Sequence, residues 1–117
     1  MPKERVMHLL STSYQDYTRY KEEKDIDYFR DAAEKLFTAS QNYLEYKHDE
    51  FIGSYEDFKH ELNESKMEKE DKRMIKQDAN ALHVFARHGI IEPYTEDELK
   101  EDYDELYAKL QYLLTEG

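Results

Sequence analysis

The chain of 117 residues has room for one domain and a single core, and with 38% hydrophobic and 38% charged side chains it suits elements that each bury one narrow apolar stripe. Eleven Tyr and five Phe argue against a disordered chain, which is poor in aromatics. A net charge of -11 repels phosphate backbones, and the lack of cysteine excludes disulfide and thiolate chemistry.

No segment alternates apolar and polar residues for long, so strands are not expected, whereas helical spacing runs through the whole chain. A first helix over about 4–22 places Val6, Leu10, Ser13, Tyr17 and Tyr20 on one face. The run KEEKDID breaks it, with Asp25 or Asp27 as N-cap of a second helix over about 27–47. That helix aligns Phe29, Ala33, Leu36, Ser40 and Tyr43, and its small residues Ala32, Ala33, Ala39 and Ser40 admit close neighbours, which marks it as the central helix. After a break at Gly53 and Ser54, SYED opens a shorter third helix with an acidic first turn. Ser65 and Glu68 have capping-box spacing and place the start of a fourth helix there, with Met67, Met74, Ile75, Ala79, Leu82 and Phe85 inward and Gly89 at its end. Pro93 blocks continuation. Thr95 and Glu98 form a second capping box, opening a fifth helix with Leu99, Tyr103, Leu106, Leu110 and Leu113 inward. The fold expected is all-α, one up-and-down antiparallel bundle of about five helices over residues 1–117.

The charge is uneven. Residues 61–91 carry six basic side chains (Lys66, Lys69, Lys72, Arg73, Lys76, Arg87) against six acidic ones, whereas residues 92–117 carry two against nine. An anionic partner would therefore meet the middle segment. No apolar run approaches the roughly 20 residues needed to span a bilayer, and no signal-peptide core is present. No membrane association and a cytoplasmic location are expected.

Chemistry-bearing motifs are sparse. Glu45-Tyr-Lys-His48 and Asp57-Phe-Lys-His60 have the acid-x-x-His spacing of carboxylate-bridged metal bundles, because residues three apart share a helix face. With 28 acidic residues such pairs arise by chance, and the inward faces that should supply further carboxylates are apolar, so no metal site or other cofactor is expected. There is no glycine-flanked serine for nucleophilic catalysis and no glycine-rich loop for phosphate. The stretch DANALHVFARHG (78–89) gathers His83, Arg87 and His88 near a helix end, where cations favour the negative end of the dipole. His83 falls at the edge of the inward face, the place of a half-buried, hydrogen-bonded structural histidine.

Two stretches, DYFRDAAEKLFTASQNYL (27–44) and ANALHVFARHGIIEPYTEDELKEDYDELYAKL (79–110), together resemble the archaeal PaREP-type proteins, small helical members of the HEPN superfamily (higher eukaryotes and prokaryotes nucleotide-binding). The shared features are an A-x-E-K-L-x-x-A helix after an acidic break, an A-x-x-L-H helix before a glycine, and an acidic terminal helix, over roughly residues 25–113. The resemblance implies a five-helix bundle, commonly paired into a homodimer and encoded beside a nucleotidyltransferase-like partner. It also implies a comparison with ribonucleases of the superfamily, which carry Arg, a polar residue and then His, with four to six residues between Arg and His. The family histidine would be His83, and the positions that should supply arginine are Asp78, Gln77 and Lys76. None is arginine, and lysine lacks the planar fork that clamps a phosphate. The nuclease motif is absent, so an enzyme is not expected.

The sequence thus points to a non-catalytic HEPN-like bundle that binds a protein or ligand, with His83, Lys76, Arg73, Arg87 and His88 as the binding cluster. The competing reading is a degenerate HEPN RNA-binding protein or ribonuclease of a toxin–antitoxin system, disfavoured by charge. A homodimer is expected through the near-neutral segment 61–91, with the fourth helix alongside the second, because the acidic last helix would repel its own copy.

Overall fold

The computed structural model describes residues 3–116, which form five helices: α1 (Lys3–Glu23), α2 (Ile26–His48), α3 (Tyr55–Glu64), α4 (Lys69–His88) and α5 (Glu96–Glu116). No strand occurs among the described residues. Met1, Pro2 and Gly117 lie outside them.

Local signals set most of the boundaries. Lys24 turns into the left-handed region at φ 60, its N–H reaching Tyr20 O at 2.7 Å, and ends α1. Asp25 then caps α2, its carboxylate accepting from Asp27 N at 3.0 Å. Ser54 caps α3 in the same way through Asp57 N. Gly89 closes α4 at φ 67, with its N–H on Phe85 O at 2.8 Å. At α5 the capping box is complete in both directions: Thr95 N donates to Glu98 Oε1, and Glu98 N to Thr95 Oγ1.

One expected cap is not there. Ser65 ends α3 instead of opening α4, because both its hydroxyl and its N–H donate to Leu62 O. Its side chain is therefore committed backwards, and α4 starts at Lys69, preceded by Glu68 with no side-chain cap. Met67 lies in the connection, half-buried.

The four long helices run alternately up and down. Tyr20 and Tyr17 meet Phe29, Phe37 meets His83, and Asp71 meets Lys109, so positions ascend on one helix as they descend on the next. Tyr17 on Tyr103 and Tyr14 on Tyr107 close the ring between α1 and α5. The short α3 interrupts the connection from α2 to α4 and packs on both. The antiparallel frame is thus built by four helices, with α3 added to one side.

Helix α2 packs against each of the other four, as its small residues suggest. Ala32, Ala33 and Ala39 are fully buried, and Leu36 between them has no exposure. The stripe of α5 ends differently from expectation. Leu114 is buried and Leu113 only half-buried: the two flank the stripe about equally at about 100° per residue, so periodicity does not choose between them and packing does. Tyrosines fill the seam between α1 and α5: Tyr17 and Tyr103 stack with centroids 4.0 Å apart, and burial raises the pKa of both phenols.

Candidate functional site

Helix α4 presents its polar side through Arg73, Lys76, Gln77, Asn80, His83 and Arg87, a set at helical spacing along one face. The start of α3 lies beside this face and divides it into two clefts. Tyr55 lines both.

The first cleft, of about 360 Å³, lies between α2 and α4 and is lined by Glu34, Gln41, Ser54, Tyr55, His83 and Arg87 among others. The His83 ring stacks on Phe37 at 4.3 Å and on Tyr55 at 5.3 Å between centroids. Aromatic stacking, and not the hydrogen bond expected of it, positions this half-buried imidazole. Burial lowers its pKa, the charges of Arg87 and His88 lower it further, and Glu34 opposes them. His83 is therefore neutral at physiological pH.

The second cleft, of about 400 Å³, is lined by Tyr55, Lys59, Arg73, Lys76, Gln77 and Asn80. Lys59 lies over the Tyr55 ring at 5.2 Å and pairs with Glu56 at 3.1 Å. Arg73, Lys76 and Arg87 take part in no ion pair among the described residues. Four of the five cluster residues are thus brought onto one surface. His88 is exposed, lines neither cleft, and acts on His83 through charge.

Lys76 and Gln77 line the second cleft and His83 the first, so the nearest approach to a nuclease motif does not share a cavity with the histidine. Asp78, at the third position where the nuclease pattern calls for arginine, is buried and lines a cleft toward α5 with Asp102 and Glu105. Burial pushes its carboxyl up to about 9, helped by Glu105 and Asp102. The sequence did carry a signal for this: Asp78 stands inside the apolar run Ile75, Ala79, Leu82.

The acid-x-x-His pairs do not converge. Glu45 is buried and accepts from Ile52 N at 2.7 Å, tying down the segment after α2, while His48 Nδ1 lies 2.6 Å from Glu61 Oε2 on α3. Asp57 and His60 are both exposed on α3. Among the described residues no three His, Asp or Glu side chains gather at metal-binding distance.

Two further residues matter here that no local sequence pattern marks. Arg30 of α2 donates from Nη2 to Ala86 O at 3.1 Å, so a guanidinium from another helix covers the carbonyl end of α4. Tyr55 is the aromatic floor shared by both clefts, and burial raises its pKa. No protein-family model, curated protein or solved structure matches the chain significantly. No helix is long and apolar enough to cross a membrane among the described residues.

Proposed function

We propose that the protein is a non-catalytic, HEPN-like binding module whose recognition surface is the α4 face built by Arg73, Lys76, His83 and Arg87 around Tyr55. The observation that carries this reading is the set of three cations without ion-pair partners among the described residues, placed beside an aromatic floor in a chain of net charge -11. In such a chain a basic stripe is suited to an acidic partner, and a nucleotidyltransferase-like protein with an acidic surface is the partner proposed. His83, packed in one aromatic group with Phe37 and Tyr55, supports recognition by shape and stacking.

A second reading, a degenerate HEPN RNA-binding protein, is favoured by Tyr55 standing beside Arg73 and Lys76, an aromatic platform with cations alongside. One experiment addresses both. An acidic peptide such as oligoglutamate and a short single-stranded RNA are each titrated into labelled protein and followed by amide chemical shifts. Shifts at Arg73, Lys76 and Arg87 with the peptide, lost in the triple alanine variant, support the leading reading. Shifts with RNA alone promote the second, and RNA cleavage that disappears in His83→Ala overturns the non-catalytic assignment. No shift with either probe removes the α4 face from consideration.

The homodimer belongs to the same proposal, but on a different face from the one the charge distribution suggested. Of the five large apolar side chains left exposed, Met7 and Tyr14 lie on α1 and Tyr112 on α5, while Phe51 and Ile90 lie in the connections after α2 and α4, and the outer face of α4 is polar. An apolar cleft of about 440 Å³ between α1 and α5 includes Met7, Leu10, Tyr14, Tyr107 and Leu114, and Lys3 is the one charged side chain in its lining. Two copies of so acidic a chain approach most easily across a wall without carboxylates, and a second copy is the occupant proposed. Sedimentation velocity tests it. A mass that stays at 14.2 kDa over a wide concentration range refutes the dimer.

A further inference from the structure

The seam between α4 and α5 holds a group that the binding face does not use. Asp78 is 2% exposed, and its Oδ2 is shielded from solvent with no hydrogen-bond partner. The carboxyls of Glu105 and Asp102 from α5 line the same cleft and, of the charged groups, act on Asp78 most strongly. These are acceptors too, so the contact becomes a bond only when one carboxyl carries a proton. Three more polar or charged groups line the cleft beside them, Glu70, Arg73 and Gln77, all from α4. Glu98 and Glu101 add negative charge to Asp102 from the preceding turn, and no charged side chain of α1, α2 or α3 lines the cleft. Arg73 stands at the rim without pairing to any of the acids, and Lys109 is taken by Asp71 at 3.0 Å.

The shielding of Oδ2 limits what can satisfy it. A metal ion needs several converging donors, and no three acids gather at that distance among the described residues. A proton needs only one oxygen on each side. We propose that Asp78, with Asp102 and Glu105, is a proton-operated clasp between α4 and α5. In the closed form the Asp78 carboxylic acid donates to a carboxylate of α5. When the proton leaves to water, two or more negative charges face each other in a buried seam, and the attraction that joined the helices becomes repulsion.

The direction of the pH effect follows. The folded chain keeps the Asp78 proton well above 3.8, its ordinary value, so the clasp contributes in full below about 4 and is lost as pH rises towards about 9. The test uses the full chain labelled with ¹³C, following the Asp78 carboxyl shift and the thermal midpoint over the same pH series. Asp78 should remain protonated at neutral pH, and the midpoint should fall by roughly 5 °C or more as pH rises through that window. Asp78→Asn keeps the shape and donates an N–H permanently, so its midpoint should lose this slope. Glu105→Gln provides the same comparison should the first variant fold poorly. A carboxyl shift that titrates in the ordinary aspartate range, or variants whose pH slope equals that of the unaltered protein, would overturn the clasp.

Discussion

Tyr103 donates its phenolic proton to Ser13 Oγ across the α1–α5 seam at 2.8 Å. The direction follows from the serine's other bond: its single hydroxyl proton goes to Ala32 O of α2 at 2.7 Å, which leaves its oxygen free to accept. One serine, fully buried, thereby joins three helices.

Ser13→Ala should therefore cost about 1–3 kcal/mol, since it strands a buried phenol without an acceptor. Tyr103→Phe should cost less than Ser13→Ala plus a cavity, because it removes the stranded group itself. In urea unfolding the double variant should cost less than the sum of the singles, the sign expected of residues in contact. Additive losses would mean that the two hydroxyls are not coupled.

Leu36, with no exposure at the middle of α2, should lose about 2–5 kcal/mol on replacement by alanine, the usual result of emptying a core leucine site. Thermal or denaturant unfolding that barely moves would show that α2 is not the centre of the core.

Gly89→Ala should destabilise by about 1 kcal/mol, because φ 67 is strained for any residue with a Cβ. The added carbon would also lie 3.4 Å from the Arg30 guanidinium, an ordinary contact, so the loss comes from the backbone and not from a clash. Replacing Arg30 with methionine tests the neighbouring carbonyl contact separately. That variant should loosen the end of α4 in hydrogen exchange while leaving its middle protected.

His83 titrates below its ordinary value, burial being the main cause and Arg87 the next. Arg87→Gln should accordingly move the His83 midpoint upward in an NMR titration without bringing back an exposed histidine's value. The folded protein resists protonation at His83 more than the unfolded chain does. This site therefore favours the fold above about 6.5, and its contribution is lost as pH falls through the depressed midpoint. An unchanged midpoint in the Arg87 variant would remove Arg87 from the causes and leave burial and His88.

Thr95→Ala should cost about 1 kcal/mol and fray the first turn of α5, because it removes the acceptor for Glu98 N. Amide exchange at Glu96 to Glu98 reads that loss directly.

What was legible in the amino-acid order alone was the local part of the fold. The inward stripes of α1 and α2, a cap for α2 at Asp25 or Asp27, the start of α3 at SYED, the capping box at Thr95 and the stop at Gly89 all depend on residues within one or two turns of each other, and those spacings are written in the chain. The failures began where a second element competes for the same group. Ser65 has the spacing of a cap for α4, yet its hydroxyl was already engaged by Leu62 of the preceding helix. The division of the candidate cluster belongs to tertiary structure as well. Arg73, Lys76, His83 and Arg87 share a face of one helix by sequence, but α3 arrives beside it, and Tyr55 separates one cleft from the other. The stacking that holds His83 is likewise absent from the local sequence, since it depends on rings from α2 and α3 that lie far away along the chain. Asp78 shows the limit most sharply: its place among apolar residues says that it is inward, but not that α5 meets it with two more acids. Helical periodicity fixes which side of a helix a residue occupies. Only packing decides what stands opposite, and burial and opposing charge, not residue type, determine whether that group holds its proton.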